Sequence, residues 1–130
     1  MLMNKKIVWG LLVLSLLTTI LAACTMTGRT AVPSGPSVQM EATTFSPSTI
    51  TIKKGERLSF VNSSPQPHHI MNGTWDGEIA KPRREVGAPR VALDFTGGEG
   101  IQSTGPFQTA GTFKLYCMLH PDMNLTIIVT

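Results

Sequence analysis

Short runs of alternating apolar and polar residues, separated by turn residues, fill the chain from Ser37 to its C-terminus. In "TITIKKGERLSFVN" the apolar positions fall at every second residue on both sides of Lys54-Gly55. This is the period of two half-buried strands joined by a turn. No segment of this region shows a sustained helical period. The pattern therefore predicts one all-β domain over residues 37–130, folded as an antiparallel β-sandwich.

The remaining strands are predicted from shorter segments of the same kind: "SVQMEATTF", "HHIMN", "RVALDF", "GTFKLYC" and "NLTIIVT". The 12 Gly and 9 Pro residues of the chain are typical of a fold in which many turns join many strands. The region from Gly73 to Gly105 has the weakest pattern. Apart from "RVALDF", it predicts long connections and a short helix.

The first residues, "MLMNKKIVWGLLVLSLLTTILAAC", have a different composition. Two lysines precede an apolar run from Ile7 to Ile20, and small residues follow it, which is the organisation of a signal peptide over residues 1–23. The run is short for a membrane span, which disfavours the alternative of an uncleaved anchor. The sequence Leu-Ala-Ala-Cys resembles a bacterial lipobox, so we expect a lipid on Cys24.

The segment 24–36, which contains "TMTGRTAVPSGP", is small, polar and rich in turn residues, as expected of a flexible tether. We therefore expect an extracytoplasmic protein that is lipid-anchored to a bacterial membrane, on its periplasmic or cell-surface side. Two of the 11 basic residues, Lys5 and Lys6, belong to the signal peptide, so the rest of the chain is nearly neutral. This charge gives no support for nucleic-acid binding.

The segment "YCMLHPDM" holds Cys117, His120 and Met123 in the pattern C-x2-H-x2-M. With Cys24 lipidated, Cys117 has no disulfide partner, and such a Cys outside the cytoplasm is a reactive thiol, a crosslink or a metal ligand. Thiolate, imidazole and thioether are soft donors that suit copper, and a blue-copper site uses one Cys, two His and a weak axial Met. The loop supplies three of these four ligands. Zinc is the chemical alternative, but it leaves the Met without a role.

The second His of such a site must come from His68 or His69, because the chain holds only three His. Neighbouring side chains on a strand point to opposite faces, so only one of the two can point toward the site. The residue pattern alone leaves both possibilities open.

The two ends of this region resemble the cupredoxins, the blue type 1 copper proteins, of the plastocyanin and amicyanin type. The family opens with F-x-P-x-x-I-x-V-x-x-G-x-x-V-x-F-x-N followed by P-H-x-V, and closes with F-x-x-x-G-x-[FY]-x-Y-x-C before the ligand loop. The matching residues here are Phe45, Pro47, Ile50, Ile52, Gly55, Leu58, Phe60, Asn62, Pro67, His68 and Ile70, then Phe107, Gly111, Phe113 and the pair Tyr116-Cys117. In this pair Cys117 is one residue nearer to the Tyr than in some members of the family.

The resemblance implies a Greek-key β-sandwich with one copper per chain that changes between Cu(I) and Cu(II). It implies the ligands His68, Cys117, His120 and Met123, with His68 chosen because it follows Pro67. His69 remains the alternative ligand.

The resemblance also implies a function as a membrane-tethered electron carrier, and not as an enzyme. We expect a monomer that docks transiently near His120 with redox partner proteins, such as a cytochrome or another electron donor or acceptor. The alternative is a protein for copper storage or delivery, which Met40, Met71 and Met118 keep open.

The region from Gly73 to Gly105 also carries a group of basic residues, Lys81, Arg83, Arg84 and Arg90. Solvated loop charges are the first interpretation of such a group. Docking of an acidic partner is the second.

Overall fold

The computed structural model describes residues 33–98 and 100–130. The predicted signal peptide, Cys24 and most of the predicted tether lie outside these residues. Ten strands form the described part: β1 (Ser37–Met40), β2 (Phe45–Ser46), β3 (Thr49–Ile52), β4 (Ser59–Asn62), β5 (His68–Asp76), β6 (Ile79–Pro82), β7 (Ala92–Phe95), β8 (Gly100–Ser103), β9 (Gly111–Cys117) and β10 (Asn124–Val129). The described residues contain no helix, and therefore no helix that is long and apolar enough to span a membrane.

The strands form two sheets. The small sheet has the order β2-β1-β4-β8, and the large sheet has the order β3-β10-β9-β5. Beyond β9, the first half of β5 pairs with β7 and its second half pairs with β6. The predicted all-β sandwich is confirmed.

The core lies on the inward faces of these strands, as the alternating pattern predicts. On β9 the buried positions include Phe113, Leu115 and Cys117, and on β10 they are Leu125, Ile127 and Val129. Burial of one such large side chain contributes about 1.5–3 kcal/mol relative to leaving it exposed. Cys117 therefore belongs to the core-facing row of β9, and this row carries its thiol into the interior.

Two pairings differ from the antiparallel arrangement that the pattern predicts. Strand β1 pairs with β4 in parallel, and β3 pairs with β10 in parallel, while the other pairs are antiparallel. Alternation along one strand reports which face is buried, but it does not report the direction of the neighbouring strand. The chain leaves the small sheet after β2 and joins the far edge of the large sheet as β3, where its neighbour runs in the same direction.

The region from Gly73 to Gly105 contains more strand than predicted and, among its described residues, no helix. Strand β5 continues to Asp76, and β6 and β8 are additional short strands. All four residues of β6 are exposed, so no apolar alternation reveals it in the sequence. Backbone pairing with β5 holds it in place.

Candidate metal centre

The two strands that carry the predicted ligands are direct neighbours in the large sheet. His68 begins β5 and Cys117 ends β9, and Ile70 of β5 pairs with Cys117. His68 and Ile70 lie on the same face of β5 because side chains alternate along a strand, and both are buried. The strand register thus brings the His68 ring and the Cys117 thiol to one end of the core.

The loop from Cys117 to Met123 closes on itself through three backbone hydrogen bonds. The Cys117 N–H donates to the carbonyl of Met123 at 3.0 Å, the His120 N–H to that of Cys117 at 3.4 Å, and the Met123 N–H to that of His120 at 3.3 Å. Asp122 has φ of 62°, a left-handed conformation that Asp tolerates better than most residues. The tight loop turns His120 back toward Cys117 and returns Met123 to the core.

Three predicted donor atoms, two from this loop and one from β5, lie close together. The Cys117 Sγ lies 3.3 Å from the His120 Nδ1 and 3.7 Å from the His68 Nδ1. The donor atoms of these three residues all lie within 4.8 Å of one another. Met123 is buried at the end of the loop. The arrangement offers one thiol and two imidazole nitrogens to a single small volume.

Burial controls the protonation of His68, whose side chain is about 1% exposed. Loss of solvation, together with the neighbouring His120, lowers the pKa of His68. The neutral ring is the form that binds a metal. Its Nε2 is buried without a hydrogen-bond partner among the described residues, so packing alone holds the far side of the ring.

His69, the alternative ligand, points to the opposite face of β5. Its Nδ1 hydrogen-bonds the carboxylate of Asp94, the residue directly across from it on β7. Its carbonyl accepts a hydrogen bond of 2.8 Å from the Met118 N–H, which attaches the ligand loop to β5. The structure therefore does not bring the His69 ring together with Cys117 and His120.

The surface beside His120 is apolar. His120 is partly exposed, and Met118 and Leu119 are the exposed large side chains next to it in the loop. Cys117, His68 and Met123 are all buried. His120 is therefore the predicted ligand with the most direct access to solvent.

Two residues that motif analysis did not single out for this purpose support the end of β9. Trp75 donates its indole N–H to the carbonyl of Cys117 at 2.8 Å, and its ring packs edge-on against Tyr116. The Asn124 Oδ1 accepts the Trp75 backbone N–H at 2.7 Å and the Thr74 hydroxyl at 3.0 Å. No motif of the sequence contains Trp75 or Asn124, so the sequence pattern gives no signal for these contacts.

The family model "Copper binding proteins, plastocyanin/azurin family" matches residues 35–130. The chain belongs to this family. The resemblance to cupredoxins is thereby confirmed, and the donor set fits copper, because a buried thiol without a disulfide partner faces two imidazole nitrogens and a thioether lies close by.

Relatives and solved structures agree with this assignment. The chain is 32% identical to plastocyanin of Scenedesmus fuscus over 92 residues, covering 68% of this chain and 87% of the relative. It is 33% identical to plastocyanin of Daucus carota over 89 residues, covering 68% and 88%. The crystal structure of amicyanin from Paracoccus versutus matches with a TM-score of 0.56 and 25% identity over 76% of this chain and 85% of that chain.

Proposed function

We propose that this chain is a one-copper electron carrier whose ligands are His68, Cys117, His120 and Met123. The observation that carries the proposal is the convergence of the Cys117 Sγ with the Nδ1 atoms of His68 and His120. When bound, copper supplies a one-electron change between Cu(II) and Cu(I).

The protein's part is to hold the donors still and to keep water away. Cys117 is held by its pairing with Ile70 of β5, and His68 is held by its pairing with Phe95 of β7. His68, Cys117 and Met123 are all buried, so a substrate in solution has no direct access to these side chains. These properties suit a carrier, because rigid ligands need little rearrangement when one electron arrives or leaves.

Electron exchange takes place at His120 in this proposal. Its ring is partly exposed, and Met118 and Leu119 beside it are each nearly half exposed. A small apolar patch of this kind suits brief docking with a redox partner protein better than a permanent complex. The protein would act as a monomer.

Tethering to a membrane is supported by the sequence alone. The lysines, apolar run and Leu-Ala-Ala-Cys of the first 24 residues favour export and a lipid on Cys24. Residues 24–36 would then connect the copper domain to the periplasmic or cell-surface side of a bacterial membrane.

The test is spectroelectrochemistry of the copper-loaded protein in the presence of a mild copper chelator. A single reversible one-electron couple, with copper retained over many cycles, supports the carrier. Transfer of the copper to the chelator within the first cycles would reject the carrier and favour copper delivery.

A further inference from the structure

An open groove lies beside β5, and none of the residues that line it belongs to the apolar patch at His120. Its volume is about 350 Å³, and its apolar lining residues are Met71, Pro82, Val91 and Ala92. Its rim carries three exposed arginines, Arg83, Arg84 and Arg90.

The three arginines have no carboxylate partner among the described residues. The ion pairs found there join Lys81 to Asp76 and His69 to Asp94, and none involves an arginine. Glu85, the acidic residue between Arg84 and the next turn, lines a neighbouring cavity with Lys81, Arg83 and Lys114. The rim therefore has an excess of positive charge whose guanidinium groups are available to an outside partner.

The backbone that carries these arginines is fixed by one buried residue of β5. The Asn72 Nδ2 donates to the carbonyl of Pro89 at 3.1 Å, and its Oδ1 accepts the Val91 N–H at 2.8 Å, on either side of Arg90. The Asn72 carbonyl accepts the Arg83 N–H at 3.2 Å. Two separate loops are thus attached to the same residue, which holds the rim in one arrangement.

The groove is also close to the metal centre. Asn72 lies four residues after His68 on β5, which corresponds to about 13 Å along a strand. Asn72 pairs with Leu115, two residues before Cys117 on β9. A protein bound in the groove would therefore remain beside the strand pair that carries two of the proposed ligands.

We propose that this arginine-rimmed groove docks an acidic segment of the redox partner protein. Arginine binds carboxylates through paired N–H groups, and Arg and Met are enriched at protein interfaces. A groove that combines apolar lining residues with exposed arginines suits a protruding protein segment. Membrane-binding segments usually carry clusters of four to eight basic residues, more than the three at this rim. The role of the partner in electron transfer rests on the proposed function, whereas binding of an acidic segment does not.

The experiment is a titration of the full chain, without copper and held in dihexanoylphosphatidylcholine micelles, with a hexaglutamate peptide at low salt. Backbone amide shifts locate the binding, and calorimetry measures the affinity. We expect the shifts of Arg83, Arg84 and Arg90 to change most. Arg84→Gln/Arg90→Gln should weaken binding about three- to tenfold, from the typical strength of exposed ion pairs.

The matched control is Lys53→Gln/Lys54→Gln, which removes the same charge from exposed residues after β3, at the other edge of the large sheet. This control should leave the affinity within about twofold. Equal weakening by both variants, or no binding at all, would overturn the proposal. Replacement of part of the lipid by dihexanoylphosphatidylglycerol should not change the amide shifts of the groove residues. If this anionic lipid changes these shifts more than the peptide does, the groove binds anionic lipid instead.

Because the titration uses copper-free protein, its result is separate from that of the spectroelectrochemical test. A reversible copper couple without peptide binding would reject the groove and leave the carrier intact. Peptide binding without a reversible copper couple would reject the function as an electron carrier. The groove would then bind an acidic partner that is not a redox partner.

Discussion

The indole N–H of Trp75 donates a hydrogen bond of 2.8 Å to the carbonyl oxygen of Cys117. The two residues are 42 positions apart in sequence, and the bond connects the end of β5 to the residue that carries the thiol. The same carbonyl accepts the His120 N–H at the longer distance of 3.4 Å. Trp75 therefore stabilises the point at which β9 enters the ligand loop.

Replacement of Trp75 by Phe should remove this hydrogen bond while keeping an aromatic ring against Tyr116. The buried Cys117 carbonyl would retain only its weaker bond, so we expect a loss of about 1–3 kcal/mol in the free energy of unfolding. Urea denaturation of the copper-free protein measures the change. Ile79→Ala, at an exposed position of β6, is the control and should change stability by about 0.5 kcal/mol or less. Equal effects of the two changes would contradict a specific role for the indole N–H.

Asn124 acts on the same support from β10. Its side chain accepts the Trp75 N–H and the Thr74 hydroxyl, and its Nδ2 donates to the Trp75 carbonyl at 3.2 Å. Asn124→Ala removes all three bonds, so we expect a loss of about 2–3 kcal/mol. The control is Thr126→Ala on the same strand. The Thr126 side chain has no hydrogen bond among the described residues, so its replacement changes strand propensity alone. If Asn124→Ala costs no more than Thr126→Ala in urea denaturation, this support does not exist in solution.

The ligand loop could be predicted from the sequence because its three donors lie within seven residues. Residues this near in sequence stay near one another in the folded chain. The choice between His68 and His69 required more than spacing, and the strand register of β5 against β9 separates them in the structure. Trp75 and Asn124 could not be paired from the sequence, since they are 49 positions apart and neither belongs to a motif.

The strands of the core were also predictable, because their pattern is local in the sequence. Apolar alternation marks β3, β4, β9 and β10, because burial of one face requires it. Strand β6 is exposed at every residue and leaves no such signal. The parallel pairing of β3 with β10 is decided by long-range topology, which no local pattern encodes.

Tyr116 should make stability depend on pH in the alkaline range. Burial raises the pKa of Tyr116 above its ordinary value of about 10. The unfolded chain then loses the phenol proton at a lower pH than the folded protein, so the free energy of unfolding should fall as pH rises above about 10. Tyr116 is the only tyrosine, so the ultraviolet absorbance of phenolate reports it alone.

In a pH titration, the phenolate band should develop at higher pH in the native protein than in urea. Tyr116→Phe should remove this part of the alkaline loss of stability. Coincident titrations of the native and unfolded protein would contradict burial of the phenol.

Gly73 is required where β5 exchanges its neighbour. Its φ is 133°, and a Cβ at this position would lie 2.5 Å from the carbonyl oxygen of Lys81 and 2.9 Å from the nitrogen of Arg83. Both atoms belong to the backbone, so relief requires movement of β6. We expect Gly73→Ala to reduce stability by at least about 2 kcal/mol through overpacking and backbone strain together.

Gly77 is the matched control, because its φ of 59° is also left-handed but a Cβ there meets no atom within 4 Å. Gly77→Ala should cost about 1–2 kcal/mol, which is the strain of the backbone alone. Thermal unfolding of both variants separates the cost of overpacking from the cost of backbone strain. A smaller effect at Gly73 than at Gly77 would show that β6 does not pack against β5 as described.

The most direct test of the metal centre is a Cu(II) titration of the full chain, followed by visible absorption, for the unaltered protein and for His68→Ala and His69→Ala. The predicted result is a thiolate-to-copper band that saturates at one equivalent of copper. This band should persist in His69→Ala and be lost in His68→Ala. Binding without this band, or a band that depends on His69 and not on His68, would contradict a copper site built from His68, Cys117, His120 and Met123.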